Sequence, residues 1–197
     1  MNVLKLIFLI TLISFKAVSQ TCSYKKLSKE FDFTITLNSK KLDSIQVLIK
    51  ITNKVSQKIQ ALKIETEGLY IDSFNDCKNV KSYSTKINSE LPTGDENDSG
   101  NFIVADFNFD GMEDLAIKRD VGGNGGPLYA YFLQAKDKKF YESLYLSNTV
   151  EFFPIEINST KKTITTFLHA NAYQKNRRIF KYNQKAKKWK LIYDKLE

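Results

Sequence analysis

Residues 31–37 read FDFTITL, and residues 44–52 read SIQVLIKIT. In the first, Phe31, Phe33, Ile35 and Leu37 point one way. In the second, Ile45, Val47, Ile49 and Ile51 do the same. A period of two over such lengths is the mark of a half-buried strand, because successive side chains leave opposite faces of a sheet. The same reading extends to Ile59–Glu65, Tyr83–Asn88, Asn101–Phe107, Asp114–Arg119 and Leu128–Ala135. The last third continues as a meander, FFPIEIN, KTITTFLHA, RRIFKYN and KWKLIYDK, with polar linkers such as NSTKK and NQKAK between most of them. No stretch keeps a helical period for more than about two turns; FYESLYLSNTVEFF is the most ambiguous. The chain reads as all-β and mostly antiparallel, and a sandwich, a barrel or a propeller-like stack fits the pattern.

Ahead of these strands the chain begins MNVLKLIFLITLISFKAVSQ. Lys5 precedes an apolar run from Leu6 to Phe15, and Ala17-Val18-Ser19 supplies small residues before a cut. This is the pattern of a secretory signal peptide, residues 1–19, followed by one domain from 20 to 197. The run falls short of the roughly 20 residues a membrane helix needs, and no later segment is longer, so the mature chain carries no transmembrane segment. Export implies an oxidising compartment, periplasmic or extracellular, and Cys22 and Cys77 are the only two cysteines. One disulfide is the simplest count, contributing about 4 kcal/mol on the chain-entropy model. The competing reading is a lipid on Cys22. Ser19-Gln20-Thr21 fits that poorly, and it would leave Cys77 alone.

Two irregular segments interrupt the strands. ELPTGDENDSGN carries Asp95, Glu96 and Asp98; DVGGNGGPLY carries four glycines and a proline. The glycine run lacks the strand-to-helix setting of a dinucleotide fingerprint and the Lys-Ser/Thr of a phosphate loop. Between the two segments lies ADFNFDGMED, residues 105–114. Asp106, Asn108 and Asp110 stand at positions one, three and five of a loop, Gly111 at six, and Asp114 at nine. Met112 at seven offers its backbone carbonyl. Calcium takes six to eight oxygen ligands, and this spacing wraps a short loop around one ion. Phe107 and Phe109 point away from the ion. A full EF-hand loop needs glutamate at position twelve, where this chain has Ile117, so the loop closes early and leads straight into DLAIK. The alternative is a plain Asn/Asp-Gly hairpin turn.

VADFNFDGMEDLAI resembles the calcium loop of FG-GAP (integrin-propeller type) repeats. Only one copy is present, where FG-GAP propellers use several in longer chains. Residues 101–197 are also similar to small exported bacterial proteins that carry one such loop, a glycine-rich loop like GGNGGPLYAYF and a C-terminal meander. That resemblance implies Ca2+ held by Asp106, Asn108, Asp110, the Met112 carbonyl and Asp114. It further implies a periplasmic immunity protein that inhibits a secreted lysozyme-like peptidoglycan hydrolase.

Catalysis is not expected. His169 is the single histidine, so a Ser-His-Asp or Cys-His system would have to use it, and a lone histidine in a strand is usually a packing or surface residue. A two-carboxylate glycosidase could draw on Asp95, Glu96, Asp98 and Glu113, but nothing in the sequence pairs them. Nor is nucleic acid expected. The net charge of +8 is spread over lysines in turns, and in NRRIFKYNQKAKKWK, the densest patch, alternation sends aromatics inward and lysines to water, with a grip on an anionic polymer or cell-surface glycan the other reading. The expected function is binding of a protein partner, by the loops around the metal. Gly123 and Asn124 would allow close approach, and Tyr129 and Tyr131 would act as anchors, with core packing the other reading for one of the pair. A calcium-stabilised surface or glycan-binding module is the alternative, and a carboxylate hydrolase comes third.

Overall fold

Alternation in the sequence becomes long antiparallel strands in the computed structural model, which describes residues 21–41, 44–67, 77–87, 100–120, 122, 126–171 and 173–197. Residues 1–19, expected as a signal peptide, and Asp95, Glu96, Asp98, Gly123 and Asn124 lie outside the described residues. Three sheets form. The first has the order β1 (Thr21–Tyr24), β2 (Phe31–Lys41), β3 (Ser44–Asn53) and β4 (Ile59–Glu67). The second runs β5 (Val80–Ser82), β6 (Phe102–Ala105), β7 (Asp114–Asp120), β8 (Leu128–Gln134) and β9 (Phe140–Glu142). The third is the meander β10 (Glu156–Asn158), β11 (Thr163–His169), β12 (Lys175–Asn183) and β13 (Lys188–Leu196). Among the described residues only β5 and β6 pair in parallel. Among the described residues no sheet closes into a barrel, and the sheets pack as in a sandwich.

The middle sheet is covered on both faces. Phe102, Val104, Leu115, Ile117, Ala130 and Phe132 share a core with Phe31, Phe33, Ile35, Val47, Ile49 and Ile51 of the first sheet. The alternate residues Ile103, Ala105, Ala116, Tyr129 and Tyr131 share a second core with Ile164 and Phe180 of the third. β6 and β8 were expected as half-buried strands, but burial on both faces makes them near-continuous apolar runs instead. Ring contacts seal the first core, with Phe31 and Phe140 centroids 5.0 Å apart and edge-on, a geometry that aromatic quadrupoles favour.

Some expectations shift. Tyr83–Asn88 was expected as a strand, but β5 ends at Ser82 and residues 83–86 turn. Ser82 bonds there both ways: its N–H donates to the Ile87 carbonyl at 2.9 Å, and its Oγ accepts from the Thr85 Oγ1 at 2.8 Å. The ambiguous stretch 140–153 holds β9 and one π-helical turn, Leu146–Val150, which buries Leu146 and Val150. Cys22 and Cys77 are disulfide-bonded, with Cα atoms 5.4 Å apart. No described helix is long and apolar enough to cross a membrane.

Candidate metal centre

Residues 106–114 connect β6 to β7, so the loop leaves and re-enters the middle sheet at its rim. Its turns are built from its own side chains. Asp106 accepts the Asp110 N–H on Oδ1 at 3.1 Å and the Gly111 N–H on Oδ2 at 2.8 Å. Asn108 Oδ1 accepts the Asp110 N–H at 3.0 Å, and Asp110 Oδ1 accepts the Met112 N–H at 2.9 Å. Each acceptor lies two to five residues before its donor. This is the habit of Asp and Asn in turns and the reason they suit this backbone.

Two residues take positive φ. Gly111, at 83°, has open space around its missing Cβ, so glycine is needed there for conformation and not for room. Phe109, at 61°, has no such licence; a non-glycine residue in this region costs roughly 1–2 kcal/mol. Packing offsets the strain. Its ring is buried, 6.1 Å from the Trp189 ring and under the Lys162 ammonium at 5.3 Å. Gln184 Nε2 donates to its carbonyl at 2.7 Å from the β12–β13 turn.

Asp114, the ninth position, is fully buried. Its Oδ2 accepts the N–H groups of Phe107 at 2.9 Å and Asn108 at 3.3 Å, and its Oδ1 accepts that of Gln134 at 2.8 Å. Burial pushes its carboxyl well above the usual carboxylate range. The Gln134 and Phe107 N–H groups oppose this, and the charges of Asp110 and Asp106 add to it. Asp106 is also raised, chiefly by burial, with Asp110 contributing. Three carboxylates therefore share one field, and no described Lys or Arg pairs with any of them.

The donor set is three carboxylates, one amide oxygen and one backbone carbonyl, all hard oxygen ligands, and it suits calcium rather than a softer metal. Among the described residues no three His, Cys, Asp or Glu side chains are gathered as a metal cage. The carboxylates face backbone N–H groups instead, and each keeps lone pairs beyond those bonds. The fit rests on donor chemistry and order.

Glu113 plays a part the sequence did not reveal. It was a candidate acid for hydrolysis, yet its carboxylate fastens the loop to two other segments. It accepts from the Ser28 Oγ, from the Lys29 N–H at 3.0 Å and from the Ser84 Oγ at 2.6 Å. Ser28 lies 85 positions away, so no local pattern could have signalled the clasp. Beside it opens a cleft of about 510 Å3 lined by residues of all three sheets or their turns, including Tyr83, Ser84, Asp106, Met112, Glu113 and Ile157.

Tyr129 and Tyr131 do not form a partner surface. Both are fully buried, and their hydroxyls donate to the Gly100 carbonyl at 2.8 Å and the Phe152 carbonyl at 2.7 Å. They pack because the middle sheet is covered on both faces and each phenol finds a carbonyl. The glycine loop has a conformational role at its base: a Cβ on Gly122 would run into the Gly126 carbonyl. His169 ends β11 half-buried.

No protein-family model, curated protein or solved structure matches the chain.

Proposed function

We propose that the chain is an exported, calcium-stabilised β protein that binds a partner at the face around the 106–114 loop and catalyses no reaction. The observation that carries the reading is the field of Asp106, Asp110 and Asp114: three nearby carboxylates, two of them with raised pKa, and no basic partner among the described residues. A bound Ca2+ would be held by Asp106, Asn108, Asp110, the Met112 carbonyl and Asp114. It would offset their mutual repulsion and favour their ionised forms. Gln184, Glu113 and Gln134 would pass that rigidity to the third, first and middle sheets.

The leading specific reading is inhibition of a peptidoglycan hydrolase. Lysozyme-like enzymes are often basic, and a chain of +8 would repel them. The charge is not uniform, however. Eleven of the thirty Lys and Arg residues but two of the twenty-two Asp and Glu lie in residues 159–197, so that segment is +9 and the remainder −1. The loop face, with Asp106, Asp110 and Glu113, can meet a basic partner locally. The cleft beside the loop gives such a partner a concave seat. The test is capture of a hydrolase from cell envelopes on the calcium-loaded protein, then a peptidoglycan-hydrolysis assay. Inhibition that disappears in Asp110→Ala supports the reading. Capture of glycan and no hydrolase replaces it with a surface module. Release of sugar or peptide by the protein alone overturns both.

A further inference from the structure

The +9 segment is mostly the third sheet, and the register of its strands sorts the cations by face. Cross-strand partners share a face. Phe180 pairs with Leu191 and Tyr182 with Trp189, and these turn into the second core. Alternation then puts Lys181 with its partner Lys190, and Arg177 with its partner Lys195, on the outward face, with Ile179 and Tyr193 between them. The ring contacts agree. Arg177 and Lys195 lie 5.9 and 5.7 Å from the centroid of Tyr193, whereas Arg178, one position on, lies 5.0 Å from the inward Phe180.

Two like-charged pairs directly opposite one another oppose folding. Nothing in the sheet compensates at Lys181–Lys190. Both side chains are exposed, and among the described residues neither they nor Lys188 have an acidic partner. Glu197 offsets Arg177 alone, at 3.7 Å. A local rule broken without structural gain points to function.

The cations form a band and not a plate. Beside them the same face of β10 and β11 carries Glu156, Asn158, Thr163, Thr165, Phe167 and His169, with Thr163 and Thr165 buried. The band is two strands wide, roughly 5–10 Å, and runs about 20 Å from Arg177 to the Asn183–Lys188 pair. A bilayer would press the acidic and neutral rows as well. Single-stranded nucleic acid needs open aromatic faces for its bases, but Tyr193 is covered by two cations and Tyr182 and Trp189 face inward. We propose that the outward band of β12 and β13 binds a linear acidic polysaccharide, whose successive anionic groups lie along the strand pair. None of the band's cations belongs to the ligand set of the 106–114 loop, which meets this sheet through Gln184 and Trp189 instead.

The test is titration of the full chain with polygalacturonate, with neutral dextran, phosphatidylglycerol vesicles and oligothymidylate as comparisons. Polygalacturonate should bind, and binding should weaken steadily as salt rises; dextran should not bind. Lys181→Glu with Lys190→Glu should weaken binding by about tenfold or more. The charge-matched pair Lys58→Glu with Lys63→Glu, on the first sheet, should change it less than about twofold. Lys181→Glu alone replaces a like-charged pair by an opposite one and should raise the thermal midpoint, which separates lost binding from lost fold. The proposal is overturned by absence of binding, by equal loss in both double variants, or by tighter binding of vesicles or oligothymidylate than of polygalacturonate.

Discussion

The backbone N–H of Gln134 donates to Asp114 Oδ1 at 2.8 Å, joining strand β8 to the last residue of the 106–114 loop. With the Phe107 and Asn108 N–H groups on the other oxygen, this carboxylate closes the loop from inside the protein. Asp110 sits at the exposed rim. Asp114 therefore serves the fold besides its place in the proposed ligand set, whereas Asp110 makes only exposed turn contacts apart from that set.

Asp114→Asn should lower stability in chelator by about 1–3 kcal/mol, because an amide NH2 facing backbone donors leaves buried groups unsatisfied. Asp110→Ala in the same conditions should cost less than about 1 kcal/mol, the worth of an ordinary exposed turn bond. Urea unfolding of the two variants checks the contrast.

Glu113→Ala should cost about 1–3 kcal/mol, since it strands the Ser28 and Ser84 hydroxyls and the Lys29 N–H. Calcium affinity should change only a few-fold, because Glu113 stands outside the ligand set. A stability loss with affinity kept identifies a clasp; loss of affinity alone would mark a ligand.

Cys22→Ser with Cys77→Ser should lower stability by about 4 kcal/mol, from a bridge spanning 55 positions. Unchanged denaturant midpoints in oxidised and reduced wild type would contradict this.

The long strands were legible because each has one covered face, as Phe31–Leu37 and Ile45–Ile51 show. The loop was legible because its bonds run from each Asp or Asn to donors a few residues on. What was not legible depends on the third dimension. Tyr129 and Tyr131 follow a glycine loop and looked like surface anchors; a second sheet covering β8 hides them. The Glu113 clasp and the Gln184–Phe109 tie join residues 85 and 75 positions apart. β1 and β9, four and three residues long, are too short to show a period. The like-charged pairs on β12 and β13 needed the register, which the sequence alone leaves open.

Tyr83 gives a pH test. Its hydroxyl is buried without a hydrogen-bond partner, and burial pushes its pKa from 10.0 to about 12. Between those values the folded chain keeps a proton that the unfolded chain releases, so stability falls as pH rises from 10 to 12. Tyr83→Phe should stabilise by about 1 kcal/mol at neutral pH and reduce the alkaline loss, with Tyr131 and Tyr182, raised by burial, and Tyr141 and Tyr193, raised by bonds to Asp137 and Glu197, supplying the remainder. Destabilisation at neutral pH, or an unchanged alkaline slope, would contradict this.

Calorimetric titration of Ca2+ into chelator-treated protein tests the central claim most directly. The account predicts one site per chain in the millimolar range or tighter, lost in Asp110→Ala while circular dichroism keeps its β signature. No heat of binding up to millimolar calcium, or an unchanged isotherm in Asp110→Ala, would contradict it.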